Sequence, residues 1–213
     1  KKTGIQYQPF NTVYQLYADK LSGRLDGAAA MLMLPDWFNY RLTGVRLQEY
    51  TNATSTGMVG ALTDDWDDEI LSAAGVSRSL LGKVTRPAVK VGSFSPETRR
   101  EVGYDAVVML PATHDTASAV VAAPVEKGGA YISSGTWSLL GAERARAITS
   151  EAAMRGNWSN EGGAFGGFRF QKNIMGLWMV QQVRHELGDA YTFAQLAETA
   201  RAHPTDKRLR VND

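Results

Sequence analysis

Asp105-Ala106-Val107-Val108-Met109-Leu110-Pro111-Ala112-Thr113-His114-Asp115-Thr116-Ala117-Ser118 decides the fold class of this chain. Asp105 to Leu110 is a compact β-type apolar run stopped by Pro111, and the polar turn after it opens an alanine-rich helix through Val121. Strand, polar turn, helix is the order of an α/β protein, in which reactive groups stand at the ends of buried strands. Asp115 is the first candidate for chemistry because a carboxylate there can accept a proton. It can equally cap the helix by taking the N–H groups of Ala117 or Ser118, and the local pattern leaves both roles open. His114 can serve as a general base, a hydroxyl donor or a structural hydrogen-bonder, and a polar binding contact is the expectation. Adjacent His114 and Asp115 would point apart and no nucleophile-elbow spacing is present, so a triad with Ser118, Ser133 or Ser134 is not expected.

Downstream, Pro124 to Gly129 reads as a domain joint and hinge connection. Ala130 to Ser134, Trp137 to Ala142 and Phe168 to Lys172 read as three successive strands. A helix is predicted from Ile174 to Leu187, with Leu177, Val180, Arg184 and Leu187 on one side, and Thr192 with Gln195 predicts a capping-box start for another. Between the first two strands, Ser133-Ser134-Gly135-Thr136 can let phosphate oxygens approach backbone N–H groups, Thr136 adding a hydroxyl. The same residues can form an ordinary hairpin turn that binds nothing. Asn173 reads either as the N-cap of the following helix or as an amide suited to a sugar hydroxyl, and the Leu177-Trp178 pair as core.

Upstream, Val13, Leu16, Tyr17 and Leu21 line one face of a short helix ending near Gly23, a face expected to be core. Ala28 to Leu34 is strand or loop, and Pro35 starts a helix running to Gly44. Glu49 to Gly60 reads as an irregular, well hydrogen-bonded segment before a helix from Trp66 to Ala74, closed by Gly75. Pro87 and Pro96 mark loops. The acids Asp64, Asp65, Asp67, Asp68 and Glu69 resemble a metal cluster but suit a helix start, and the structural reading is preferred.

The 213 residues, 44% hydrophobic and 21% charged, suffice for one respectable core or two modest ones. With 23 basic and 22 acidic side chains spread along the chain, no basic field is concentrated for nucleic acid or an anionic membrane. There is no cysteine and only three histidines, so disulfides and thiolate sites are excluded, a histidine-rich metal site is not expected, and no metal ligand is assigned. The apolar runs are too short for a membrane span and no secretory signal is visible, which fits a soluble, reducing, cytoplasmic setting. Lys1 is no initiator and Arg208 to Asp213 stop as though entering another segment, so an internal piece of a longer protein is expected.

Several short strings, taken in order, resemble the FGGY carbohydrate kinases: Thr3-Gly4-Ile5-Gln6, Pro9-Phe10-Asn11-Thr12, Leu34-Pro35-Asp36 through Arg41-Leu42-Thr43-Gly44, and Tyr50-Thr51-Asn52-Ala53-Thr54. Asp64-Asp65-Trp66-Asp67, His114 to Ala119, Ser133 to Ser138, Asn160 to Ala164 and Lys172 to Trp178 resemble the L-rhamnulose-phosphorylating branch in particular. The resemblance implies an actin-like ATPase (ribonuclease H-like) α/β fold. Residues 1–124 would be the C-terminal part of a first, sugar-binding domain and 125–213 the N-terminal part of a second, nucleotide-binding one. It implies ATP-dependent phosphorylation of L-rhamnulose to its 1-phosphate in L-rhamnose catabolism, with Mg2+ and with no nucleic acid or membrane partner. Carried over residue by residue, Asp115 matches the proton acceptor and also a sugar contact. His114, Thr116 and Asn173 match further sugar contacts, and Gly135, Thr136 and Gln181 contacts to ATP. The family's N-terminal phosphate hairpin and C-terminal adenosine segment are missing, which implies that the piece alone is inactive. The alternatives are an FGGY kinase for fuculose, xylulose or glycerol, and a non-catalytic sugar-binding relative.

Overall fold

The computed structural model describes residues 2–126 and 128–207, so Lys127 in the expected joint and the terminal 208–213 stretch lie outside the described residues. Helix α1, Thr12–Leu21, is followed by a loop over 28–33 that settles the strand-or-loop alternative, and then by α2, Leu34–Thr43, with Pro35 in its first turn and left-handed Gly44 after it. The segment read as irregular is more ordered than that. A two-residue strand β1, Gln48–Glu49, leads into a buried helix α3, Tyr50–Ser55, because the Glu49 side chain accepts the first free N–H groups, those of Thr51 and Asn52. Helix α4, Asp68–Ala74, is capped by Asp67 and closed by left-handed Gly75. Strands β2, Val84–Thr85, and β3, Val89–Ser93, come next. Pro96 then opens helix α5, Pro96–Val102, as a first-turn residue and not as a loop.

The deciding stretch folds as strand β4, Val107–Leu110, a turn, and helix α6, Asp115–Ala122. β4 is less buried than its composition suggests: among the described residues it pairs only with β3, antiparallel, and it exposes Val107 and Met109 while Leu110 is buried. Beyond it a four-stranded antiparallel sheet is formed by β5, Tyr131–Ser133; β6, Trp137–Arg144; β7, Ser159–Gly162; and β8, Phe168–Met175; its order is β5-β6-β8-β7. A short helix α7, Glu151–Arg155, precedes β7, and both are additions to the sequence expectation. β8 runs on to Met175, so α8, Trp178–Glu186, starts later than its apolar spacing suggests, and Asn173 is a strand residue and no N-cap. Helix α9, Phe193–Ala202, has the expected capping box of Thr192 and Gln195.

The main core joins α1, α3 and α4: Leu16, Tyr50, Ala53, Met58, Val59, Trp66, Leu71 and Val76 pack together, and the Trp66 indole N–H is satisfied by the Gly82 carbonyl at 2.8 Å. On α1, Leu16 is in the core and Val13 packs against it as expected, while Tyr17 and Leu21 are exposed; in the α8 region Leu177, Trp178, Val180 and Leu187 are all exposed, so the Leu177-Trp178 pair is not core among the described residues. The acidic run serves structure: Asp67 caps α4, Asp65 and Asp68 pair with Arg78 at 2.6 and 2.8 Å, and Asp64 pairs with Arg86 at 2.6 Å.

The sheet is joined to the core at α3 and β7. Gly162 N–H donates to Thr54 Oγ1 at 2.8 Å, and a Cβ on Gly162 would run into the Tyr50 ring, so glycine is what allows this approach. The N-terminal segment straps the same junction, Gly4 O accepting both the backbone N–H and the Nδ2–H of Asn160 at 2.9 and 3.0 Å. Among the described residues no helix is long and apolar enough to cross a membrane.

Candidate active site

The turn after β4 stands on a stack of buried side chains. Thr113 donates its N–H and its hydroxyl to Glu49 Oε2 at 3.1 and 2.9 Å, and His114 N–H donates to Thr51 Oγ1 at 3.3 Å. Glu49 is fully buried and its backbone N–H donates in turn to Asp36 Oδ1 at 3.1 Å. A turn tied by three hydrogen bonds to Glu49 and Thr51 at the start of α3 cannot slide along its own strand, which is what holds residues 114–116 in place.

Asp36 is itself fully buried, and its Oδ2 has no partner among the described residues. Burial pushes its carboxyl up to about 7; the Glu49 N–H works against this and the Glu49 carboxylate with it. The folded chain therefore keeps a proton that the unfolded chain gives up from about pH 4. The stabilisation is complete below that pH and is lost as pH rises to about 7. Asp36→Asn keeps an acceptor for Glu49 N–H and is expected to abolish this decline, worth about 2–4 kcal/mol. Unfolding free energy measured against pH checks it: an unchanged slope in the variant would assign the decline to other groups.

Asp115 is the first residue of α6, and its side chain is 96% exposed. The N–H groups of Ala117 and Ser118 go to the His114 carbonyl, at 2.8 and 3.2 Å, so the capping alternative is not what is seen. Among the described residues the Asp115 carboxylate accepts only locally, from Thr116 N–H at 2.6 Å and the Thr116 hydroxyl at 3.4 Å, both through Oδ1, and Asp115 lines the cleft. His114 Nε2 lies 3.8 Å from Asp115 Oδ1. Ser118 gives its hydroxyl to the Ala112 carbonyl at 2.6 Å and is turned away from His114.

A cleft of about 830 Å³ brings His114, Asp115 and Thr116 together with Ser133, Ser134, Gly135 and Thr136 of the β5–β6 turn and with Asn173 of β8; Gln6, Asn11 and Glu161 also line it. Among the described residues no lysine or arginine lines it. Gly135 and Thr136 commit their carbonyls to Leu177 N–H and Trp178 N–H at 2.9 and 3.2 Å, so what the turn can offer an anion is its own N–H groups and the Thr136 hydroxyl. Gln181 is exposed on α8, one turn beyond this anchor, and is outside the cleft lining.

Two residues escaped the sequence reading. Glu161 on β7 and Arg169 on β8 form a buried ion pair of 3.1 Å behind His114. Burial alone would push the Glu161 carboxyl up, but His114 and Arg169 beside it more than reverse this and hold it at about 2. The faint signal was an arginine between two aromatics in Phe168-Arg169-Phe170, which alternation assigns to the solvent face. Instead Phe170 stacks on Trp158 at 4.7 Å and Arg169 is turned inward.

Comparison with known proteins decides what carries this cleft. Residues 1–122 match the N-terminal domain, and residues 130–211 the C-terminal domain, of the FGGY family of carbohydrate kinases. The chain belongs to the FGGY family. Over its full length this FGGY chain is 46% identical to a rhamnulokinase of Halalkalibacterium halodurans and 42% identical to one of Bacillus subtilis, covering 46% and 44% of those proteins. It thus spans under half the length of these curated relatives. Among solved structures it is similar to a ligand-bound xylulose kinase of Lactobacillus acidophilus, with a TM-score of 0.81, 18% identity and coverage of 95% of this chain and 42% of that one. A gluconate kinase of the same organism gives 0.80, 20%, 95% and 42%. The FGGY chain therefore has the mixed α/β, actin-like ATPase fold of these kinases.

Proposed function

We propose that this chain carries the sugar side and part of the phosphate side of an ATP-dependent L-rhamnulose kinase, which forms L-rhamnulose 1-phosphate in the cytoplasm during L-rhamnose catabolism. The observation that supports it most is the meeting of an open Asp115 carboxylate and the Gly135-Thr136 turn in one cleft, in a chain 46% identical to a rhamnulokinase. Asp115 takes the proton of the sugar hydroxyl as its oxygen attacks the γ-phosphorus, and ADP leaves with the electrons of the broken P–O bond. His114, Thr116 and Asn173 hydrogen-bond the sugar. Gly135 and Thr136 meet the phosphates, and Gln181 reaches ATP when the nucleotide extends past the α8 anchor. The cleft's neutral donors fit a phosphate chain, and Mg2+ arriving with the nucleotide would supply charge neutralisation. The sugar-binding part is residues 1–124 and the nucleotide-binding part 125–213, the joint lying in Pro124 to Gly129.

Because the relatives are more than twice as long, residues 1–213 alone are expected to release no ADP from Mg-ATP with L-rhamnulose, and clear activity would overturn that requirement. Built into a chain of the relatives' full length, the segment is expected to support the highest kcat/KM for L-rhamnulose in a panel with L-fuculose, D-xylulose and glycerol. Better turnover of another member would replace the substrate, and sugar binding without any ADP release would favour a non-catalytic relative.

A further inference from the structure

The reaction as proposed leaves Arg169 without a task. Its side chain is 1% exposed, and each of its three nitrogens has a partner: Nε the Gly162 carbonyl at 3.1 Å, Nη1 Gln171 Oε1 at 3.5 Å, and Nη2 both Glu161 Oε2 at 3.1 Å and His114 Nδ1 at 2.7 Å. His114 Nδ1 also lies 3.1 Å from Glu161 Oε2. These three atoms form a triangle that two tautomers of a neutral imidazole would satisfy differently. With the proton on Nδ1, the imidazole donates to Glu161, but it then faces guanidinium N–H groups at 2.7 Å, donor against donor. A guanidinium cannot accept a hydrogen bond. With the proton on Nε2, the bare Nδ1 accepts one Nη2 proton and Glu161 accepts the other, so both short contacts to Arg169 become hydrogen bonds, and the shared guanidinium offsets the 3.1 Å approach of the two acceptors Nδ1 and Oε2.

We propose that Arg169, braced by Glu161, is a positioning residue that fixes neutral His114 as its Nε2–H tautomer, so that the imidazole presents a donor to the cleft. Resting on the sugar-kinase reading for what occupies the cleft, this assigns His114 the recognition of an acceptor oxygen. A ketose carbonyl or ring oxygen, which can only accept, suits that place. It also leaves Asp115, 3.8 Å from Nε2, as the group that takes the proton.

Imidazole tautomers are read directly by long-range 1H–15N correlation, and a chain with three histidines gives a spectrum that one His114→Gln sample assigns. In the 15N-labelled chain without sugar or nucleotide, Nδ1 of His114 is expected at the position of an unprotonated ring nitrogen and Nε2 at that of a protonated one. Glu161→Gln is expected to keep this form, since Arg169 still donates. Arg169→Met is expected to move Nδ1 to the protonated position as Glu161 takes over as its partner. A protonated Nδ1 in the unsubstituted chain overturns the proposal, and so does an Arg169→Met spectrum with the tautomer unchanged. If Arg169→Met does not fold, the spectrum of the unsubstituted chain still decides. No turnover enters the measurement, so failure of the proposed sugar chemistry and failure of the tautomer assignment are separable.

Discussion

Asp115→Asn, assayed in a chain of the relatives' full length, is expected to lower turnover by a factor on the order of 10²–10⁴ while sugar affinity changes little. The asparagine amide can still accept Thr116 N–H through its oxygen, and a side chain 96% exposed contributes little packing, so fold and cleft persist. What is lost is the only thing an amide cannot do at that position, namely to take up a proton. Comparison of kcat with the sugar dissociation constant checks the split. Turnover within about tenfold of the unsubstituted protein would remove Asp115 from the role of base. An equal loss of sugar affinity would make it a binding residue only.

Glu49→Ala is expected to lower folding stability by about 3–5 kcal/mol, a larger effect than most single substitutions. Glu49 lies outside the cleft lining, yet its two oxygens accept from Thr51, Asn52 and Thr113, including three backbone N–H groups that would be left without partners in a dry interior. Thr113 precedes His114 directly, so the loss is transmitted to the turn that carries Asp115. Chemical denaturation of both forms measures the effect, and a loss under about 1 kcal/mol would mean that water replaces the carboxylate without cost.

The parts of this fold legible in the sequence are those specified by neighbours along the chain. The capping box at Thr192 and Gln195 and the glycine stops at Gly44 and Gly75 need no distant partner, and the order of strand, turn and helix around Thr113 is marked locally by Pro111 and the alanine-rich run, although Glu49 and Thr51 hold the turn in place. Helix α3 was missed because a run of Thr, Ser and Asn has weak helical preference; it forms because Glu49 caps it and its residues are buried. Of the two readings open for Asn173, the cap fails because β8 continues past Lys172 through its pairing with β6, which local spacing does not reveal. Periodicity marked the apolar faces of α1 and α8 but could not say whether anything covers them.

The same division runs through the candidate site. His114, Asp115 and Thr116 are consecutive, and Gly135-Thr136 is a local turn, so both could be singled out from residue types. The contact of Arg169 with His114 spans 55 residues of chain, and no spacing rule connects them. Nor could composition tell that an arginine between two phenylalanines would be turned inward to hold an imidazole.

Electroneutrality gives the cleft a preference that shape does not. Glu161 has a buried counter-charge in Arg169, whereas the Asp115 carboxylate stands among hydroxyls, amides and backbone groups, and among the described residues the lining supplies no lysine or arginine. On the proposed function, an anion entering beside that carboxylate would have to bring its compensating charge with it or draw it from chain beyond this cleft, so a cation-loaded nucleotide is expected to be favoured over a bare one.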